Sequence, residues 1–231
     1  MERIPEPELM KKKEQVISYD EADFSEGEVN LINQINHYLL RKNISLNEKD
    51  LIVDLGCGPG NISEKLAIKW PNTEVVGIDG SKEMIMRAEY KKETSGNKKK
   101  LKNLRYICSD IKDIKSTNCL LKKEISLLVS NSLIHHITHL EDFVNTIRCL
   151  STNITVNFHK DLKRPLDEKS ALELKLQCSN KYNEILTNDY YASLKASYTY
   201  KELKNFILEN DLSSLEVFED GDKYLILYGN V

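Results

Sequence analysis

The chain has 231 residues, 40% of them hydrophobic and 30% charged, with a net charge of −3. That is enough apolar material to bury the core of one sizeable domain, and too much for a disordered chain. The charge argues against a protein that wraps nucleic acid, because 33 basic residues face 36 acidic ones and few of the basic ones are arginine.

Residues 1–25 read as an arm over the active site, extended at Pro5 and Pro7 and ending in the acidic, aromatic YDEADF. Between 26 and 41, Val29, Ile32, Ile35, Leu39 and Leu40 recur at helical spacing. LIVDL (51–55) is an apolar run ended by glycines, which predicts a buried strand, and a helix follows over 60–70, stopping before Pro71. TEVVGID (73–79) predicts a second strand, after which Ser81 caps a helix to about Tyr90. The lysine-rich 91–103 reads as a solvated loop. LRYICSD (104–110), ISLLVSN (125–131) and ITVNFHK (154–160) predict three more strands, with a helix over 139–150. The segment 161–200 breaks the rhythm: it is polar and tyrosine-bearing, with a helix expected over 172–187 and another following at 200–210. Two alternating runs around Asp220-Gly221 predict a closing β-hairpin.

Strands alternating with helices imply an α/β, doubly wound, Rossmann-like sheet of seven strands, mostly parallel with an antiparallel C-terminal hairpin strand. The expected organisation is an arm (1–25) and one domain (26–231), with a lid insertion at about 161–200. No run approaches the roughly 20 apolar residues of a membrane span, and the N-terminal stretch lacks the apolar segment of a signal peptide. The cysteines (57, 108, 119, 149, 178) are scattered, with no CxxC. Free thiols in a reducing compartment are expected, hence a cytoplasmic protein.

VDLGCGPGN (53–61) carries the chemistry. Gly56, Gly58 and Gly60 alternate between a strand and a helix, where glycine permits a tight turn and close approach of backbone N–H groups to a ligand. A dinucleotide fingerprint counted from Gly56 requires glycine at 61, where the chain has Asn61. The pattern is instead D-x-G-x-G-x-G beginning at Asp54, with Asp79 closing the next strand.

On these residues the chain resembles the class I S-adenosylmethionine (SAM)-dependent methyltransferases over nearly its whole length. The resemblance implies that the glycine loop passes beside the methionine part of SAM and that Asp79, followed by Gly80, holds the ribose hydroxyls. It also implies that Asp110 binds the adenine amino group, with Ile111 and Met84 lining the adenine pocket. Each has a plainer reading: turn former or cap for the aspartates, core filler for Met84, and a small spacer for Cys57.

Ligands of open α/β sheets sit beyond the carboxyl ends of the strands, so the acceptor is expected near SNSLIHHITHL (130–140). Asn131, facing both cofactor and acceptor, and His135 and His136 are the candidates there, either histidine as a base or as a packing residue. No metal is expected, since adjacent side chains diverge on a helix and no cysteine completes a zinc site. After the fifth strand, Asp161 and Arg164 bracket a turn. Asp161 is read as catalytic and Arg164 as an acceptor-binding fork, or the two steady the turn by an internal salt bridge. Tyr19 and Tyr191, read as acceptor-binding, with Phe24, Tyr190 and Tyr198, supply a lid. A branch of small bacterial methyltransferases is similar in RIPEPELM and DLKRP.

The reaction implied is methyl transfer from SAM to a small molecule, with release of S-adenosylhomocysteine (SAH), by a monomer or homodimer with no nucleic-acid or membrane partner. The rivals are a nicotinamide-dependent oxidoreductase, a non-catalytic SAM-binding subunit and a methyltransferase of macromolecules. The segment after the fourth strand, SNSL, lacks the NPPY-like pattern of methyltransferases acting on nucleic-acid amino groups.

Overall fold

The structure, a computed structural model, describes residues 1–6, 10, 12–114, 121 and 124–231; Pro7 and Cys119 lie outside them. The strands are β1 (Leu51–Leu55), β2 (Glu74–Asp79), β3 (Leu104–Cys108), β4 (Ile125–Asn131), β5 (Val156–Leu162), β6 (Leu215–Asp220) and β7 (Tyr224–Asn230). They form one sheet in the order β3-β2-β1-β4-β5-β7-β6, with β1 to β5 parallel and β6 and β7 antiparallel. The order reverses between β1 and β4, which opens a crevice beyond their carboxyl ends.

β1 is buried on both faces, as its unbroken apolar run requires. Val53 and Leu55 enter one core, where Phe143 and Ile147 of α5 (Leu140–Leu150) and Leu203 and Ile207 of α8 (Tyr200–Glu209) cover the sheet. Ile52 enters the other, under Leu31 and Ile35 of α2 (Ser25–Arg41) and Leu66 of α3 (Asn61–Lys69). Ser81 caps α4 (Lys82–Thr94), its hydroxyl accepting from Met84 N at 3.4 Å.

Three expectations are corrected. The fifth strand begins later and reaches Leu162, because its antiparallel ladder with β7 continues to the Leu162–Tyr224 pair. Asp161 therefore lies within a buried strand and not in a turn. The helix expected over 172–187 is two, α6 (Glu168–Ser179) and α7 (Glu184–Ala196). Each has its own cap: Asp167 accepts from Ser170 N at 2.8 Å and Asn183 from Leu186 N at 3.0 Å. The arm is also partly helical, over α1 (Lys13–Glu21). It buries Val16, and Asp20 pairs with Arg87 and Lys91 of α4 at 2.5 and 2.8 Å. Among the described residues, no helix is long and apolar enough to cross a membrane. Cys57, Cys108 and Cys178 carry free thiols.

Candidate active site

The loop from β1 to α3 turns through three left-handed residues, Gly56 (φ +64°), Gly58 (φ +53°) and Gly60 (φ +85°). The amides of Gly56 and Cys57 donate to the Ile78 carbonyl at 2.8 and 3.1 Å, tying the loop to β2. A Cβ on Gly56 would lie 2.7 Å from Leu133 Cδ1, whereas one on Gly58 would meet nothing within 4 Å. Gly58 thus presents bare backbone to open space.

That space is a cleft of about 670 Å³ beyond the carboxyl ends of β1, β2 and β4, lined by Gly56, Gly58, Asp79, Gly80, Asp110 and Asn131 among others. Asp79 accepts from Gly58 N at 2.8 Å and Ser81 N at 2.7 Å. Burial, with Asp110 nearby, raises its pKa against those two donors. Asp54, 1% exposed, lies under the loop and accepts from Ser63 Oγ at 2.6 Å. Burial pushes its pKa up to about 7. Asp110 caps the turn Ile111–Asp113, accepting from Lys112 N at 3.0 Å, and Ile111 and the buried Met84 also line the cleft.

The other half of the cleft is built from β4, β5 and the arm. After Asn131, Ser132 takes φ +56° and donates its N–H to the Lys160 carbonyl at 2.9 Å, turning the chain into the 3₁₀ turn Ile134–His136. Asp161, 3% exposed, meets that turn: Oδ2 accepts from Ile134 N at 2.5 Å, while Oδ1 accepts from His135 Nδ1 at 2.5 Å and Leu162 N at 2.7 Å. Burial opposes ionisation, yet His135 and the two amides hold Asp161 below the ordinary carboxylate range. Burial lowers the pKa of His135, but Asp161 and Glu6 outweigh it and leave it raised.

The adjacent histidines do not diverge. On a 3₁₀ turn their ring centroids lie 4.2 Å apart, and Glu6 Oε1 lies 3.5 Å from His135 Nε2 and 3.3 Å from His136 Nδ1. The divergence expected of helical neighbours, which spoke against a metal, is therefore absent at this pair. Glu6 also accepts from Ser193 Oγ of α7 at 2.9 Å. Arg3 fixes the arm, donating to the carbonyls of Ala196 at 2.6 Å and Ile137 at 3.0 Å, with its guanidinium 4.0 Å from the Tyr198 ring centroid.

The sequence patterns of the methyltransferase-domain family match residues 46–201, more than half of the chain. The chain belongs to the class I SAM-dependent methyltransferase family. Curated relatives of this methyltransferase include the trans-aconitate 2-methyltransferases of Azoarcus sp. (strain BH72), 47% identical over 45 residues, and of Streptomyces coelicolor, 50% identical over 46 residues. Each match covers 20% of this chain and only 18% and 15% of the respective relative. Among solved structures, the plantazolicin methyltransferase BpumL in complex with a pentazolic desmethylPZN analogue and SAH superposes with a TM-score of 0.70 at 16% identity, over 95% of this chain and 91% of that one. A SAM-dependent methyltransferase from Aquifex aeolicus gives a TM-score of 0.62 at 16% identity, over 95% and 98% of the two chains.

The chain's own residues fit S-adenosylmethionine: an open cradle over Gly58, a carboxylate at or just beyond each of two strand ends, and Ile111 and Met84 for an aromatic base. Asp54, Asn131, His135, His136 and Tyr19 also line the cleft. Two expected acceptor residues face elsewhere. Arg164 is 7% exposed and donates to Glu202 at 2.5 Å and the Ser197 carbonyl at 3.1 Å, while Asp161 pairs with His135, so both charges take partners other than the Asp161–Arg164 salt bridge expected as the alternative. Tyr191 bonds Glu168 between Lys175 and Lys195 on the outer side of α7. Sequence reasoning missed Glu6, Arg3 and Lys160. Lys160 is 4% exposed and donates to Asp220 at 2.6 Å. No local pattern marks a residue whose partner lies 60 or more positions away.

Proposed function

We propose that this protein transfers the methyl group of SAM to a small-molecule acceptor, releasing SAH. When bound, SAM supplies a methyl group on a positively charged sulfur, already activated toward displacement. Asp79 and Asp110 would hold the nucleoside, with Gly58 beside the methionine part. His135, its Nδ1 held by Asp161 and its Nε2 facing Glu6, lines the acceptor end of the cleft beside His136, where the incoming nucleophile would be aligned. Alignment is the larger part of what such a displacement requires of the protein.

The observation that carries this reading is the shared cleft: the glycine loop and the His135–His136 turn line one space of about 670 Å³. That size lies within the range of small-molecule sites. The arm and α7 wall it, with Tyr19, Phe24, Tyr182 and Tyr190 on that side. The trans-aconitate methyltransferases are named for a small acceptor too, although the matched stretch spans about a fifth of their length or less.

The test is a calorimetric titration of the purified protein with SAM, SAH and NAD, followed by incubation of methyl-labelled SAM with small-molecule, protein and RNA fractions. Micromolar binding of SAM and SAH without NAD, and label entering the small-molecule fraction, is the expected result. Label in protein or RNA would overturn the acceptor class; no binding of SAM or SAH would overturn the cofactor.

A further inference from the structure

We propose that Glu6, His135 and His136 form a binding site for one divalent ion of the zinc type, with a fourth coordination position open to the acceptor end of the cleft. The inference deepens the proposed function, because it rests on that end of the cleft being where the acceptor sits.

Among the described residues, these three are the one group of histidine, cysteine and carboxylate side chains whose ligating atoms all lie within 4.8 Å of one another. Two of the three separations, 3.5 Å from Glu6 Oε1 to His135 Nε2 and 3.3 Å to His136 Nδ1, match a tetrahedral ion, and the third lies within 4.8 Å. Ligand bonds of about 2.1 Å at the tetrahedral angle set their atoms about 3.4 Å apart. Two imidazoles and one carboxylate are a borderline donor set suited to zinc, whereas magnesium and calcium take all-oxygen shells.

The outer contacts fit as well. A zinc-bound histidine donates its other ring nitrogen to a carboxylate in many sites, which fixes the ring and its tautomer. His135 Nδ1 faces Asp161 Oδ1 at 2.5 Å, and Asp161 is itself held by two backbone amides. Glu6 is braced by Ser193 Oγ at 2.9 Å. Glu6, Asp161 and Asp189 put three carboxylates in one electrostatic neighbourhood, against the guanidinium of Arg3. Both histidines line the cleft, so an oxygen donor of the acceptor, such as a carboxylate or hydroxyl, can take the fourth position. Because Glu6 comes from the arm and the histidines from the loop after β4, the ion would also pin the arm across the cleft.

The experiment uses the untagged full chain, stripped with a chelator and titrated with Zn²⁺ and Co²⁺ alone. One equivalent is expected to bind, with Co²⁺ giving the visible absorption of a low-coordinate site. Glu6→Gln and His136→Gln should each abolish that absorption, and Asp161→Asn should weaken binding about 10- to 100-fold. SAM affinity should stay unchanged in Glu6→Gln and His136→Gln, whose circular dichroism verifies the fold. Absence of stoichiometric Zn²⁺ binding overturns the proposal, as does binding that survives both substitutions. SAM binding without metal binding would remove this inference alone, whereas metal binding without SAM binding would remove the functional reading beneath it.

Discussion

The two halves of the cleft are built in opposite ways. The half proposed for the cofactor is assembled from backbone turns that follow strands of the parallel sheet: the 54–61 loop after β1, Asp79 at the end of β2 and Asp110 just beyond β3, with polar contacts largely to backbone amides such as Gly58 N and Ser81 N. The half proposed for the acceptor is assembled from side chains that meet one another. Glu6 reaches His135 from the arm, and Asp161 reaches it from β5. Backbone turns recur wherever the strand-turn-helix unit recurs, whereas long-range side-chain clusters vary with whatever the loops and arm deliver. One half can thus be shared by a family while the other varies among its members.

Breaking the cofactor half should have the largest effect. Asp79→Ala removes the carboxylate that two amides hold at the strand end, and charge-assisted hydrogen bonds contribute about 1.5–3 kcal/mol each. SAM affinity should fall at least about 100-fold by calorimetry; unchanged affinity would remove the ribose assignment. Gly58→Ala sharpens the point. Its Cβ meets no protein atom within 4 Å, so lost SAM binding with only the modest strain of a left-handed alanine shows that the space belongs to the ligand.

Titration of two buried groups in the ligand-free protein should separate next. Burial raises Asp54 to about 7, so the unfolded chain loses its proton first as pH climbs from about 4 to 7, and stability falls over that window. The full effect is on the order of 4 kcal/mol. His159 has the opposite sign: burial holds it at about 3, the unfolded chain takes up a proton first as pH drops below about 6.5, and stability is lost toward acid. Denaturant titrations over pH 4–7 should show the decline toward neutral pH shrink in Asp54→Asn. In His159→Gln the acid loss should shrink instead. Parallel curves for both variants would contradict the assignment of either group.

In the acceptor half, Asp161→Asn leaves Ile134 N and Leu162 N with a weaker partner and releases His135. It should cost about 2–3 kcal/mol of stability and slow turnover about ten-fold or more, with SAM affinity within a few-fold of the parent. Loss of SAM binding in step with turnover would show that the two halves are not separable. The smallest effect belongs to Tyr191→Phe, whose hydroxyl bonds Glu168 outside the cleft; its acceptor KM should match the parent, and a large rise would return Tyr191 to the site.

How far the sequence reached follows the same division. Every expected strand is present: the central parallel strands, buried on both faces, read as apolar runs between turn residues, and the antiparallel pair reads as alternating runs around Asp220-Gly221. Where pairing decided the boundary, reading failed: nothing in ITVNFHK shows that β7 extends the ladder to Leu162, and that extension moved Asp161 from a turn into the sheet. The helix expected over 172–187 divided for a reason that was visible, since Asp167 and Asn183 are both good N-caps. The long polar stretch masked them.

By itself the sequence determined the sheet, the glycine loop and the strand-end carboxylates, because each depends on backbone conformation and short-range periodicity that residue types encode directly. Only the tertiary structure decided that Arg164 and Tyr191 face away, that α1 clamps the arm to α4, and that Glu6 meets the two histidines. Those outcomes depend on side chains meeting across many intervening residues, and such meetings are set by packing, for which no local pattern exists.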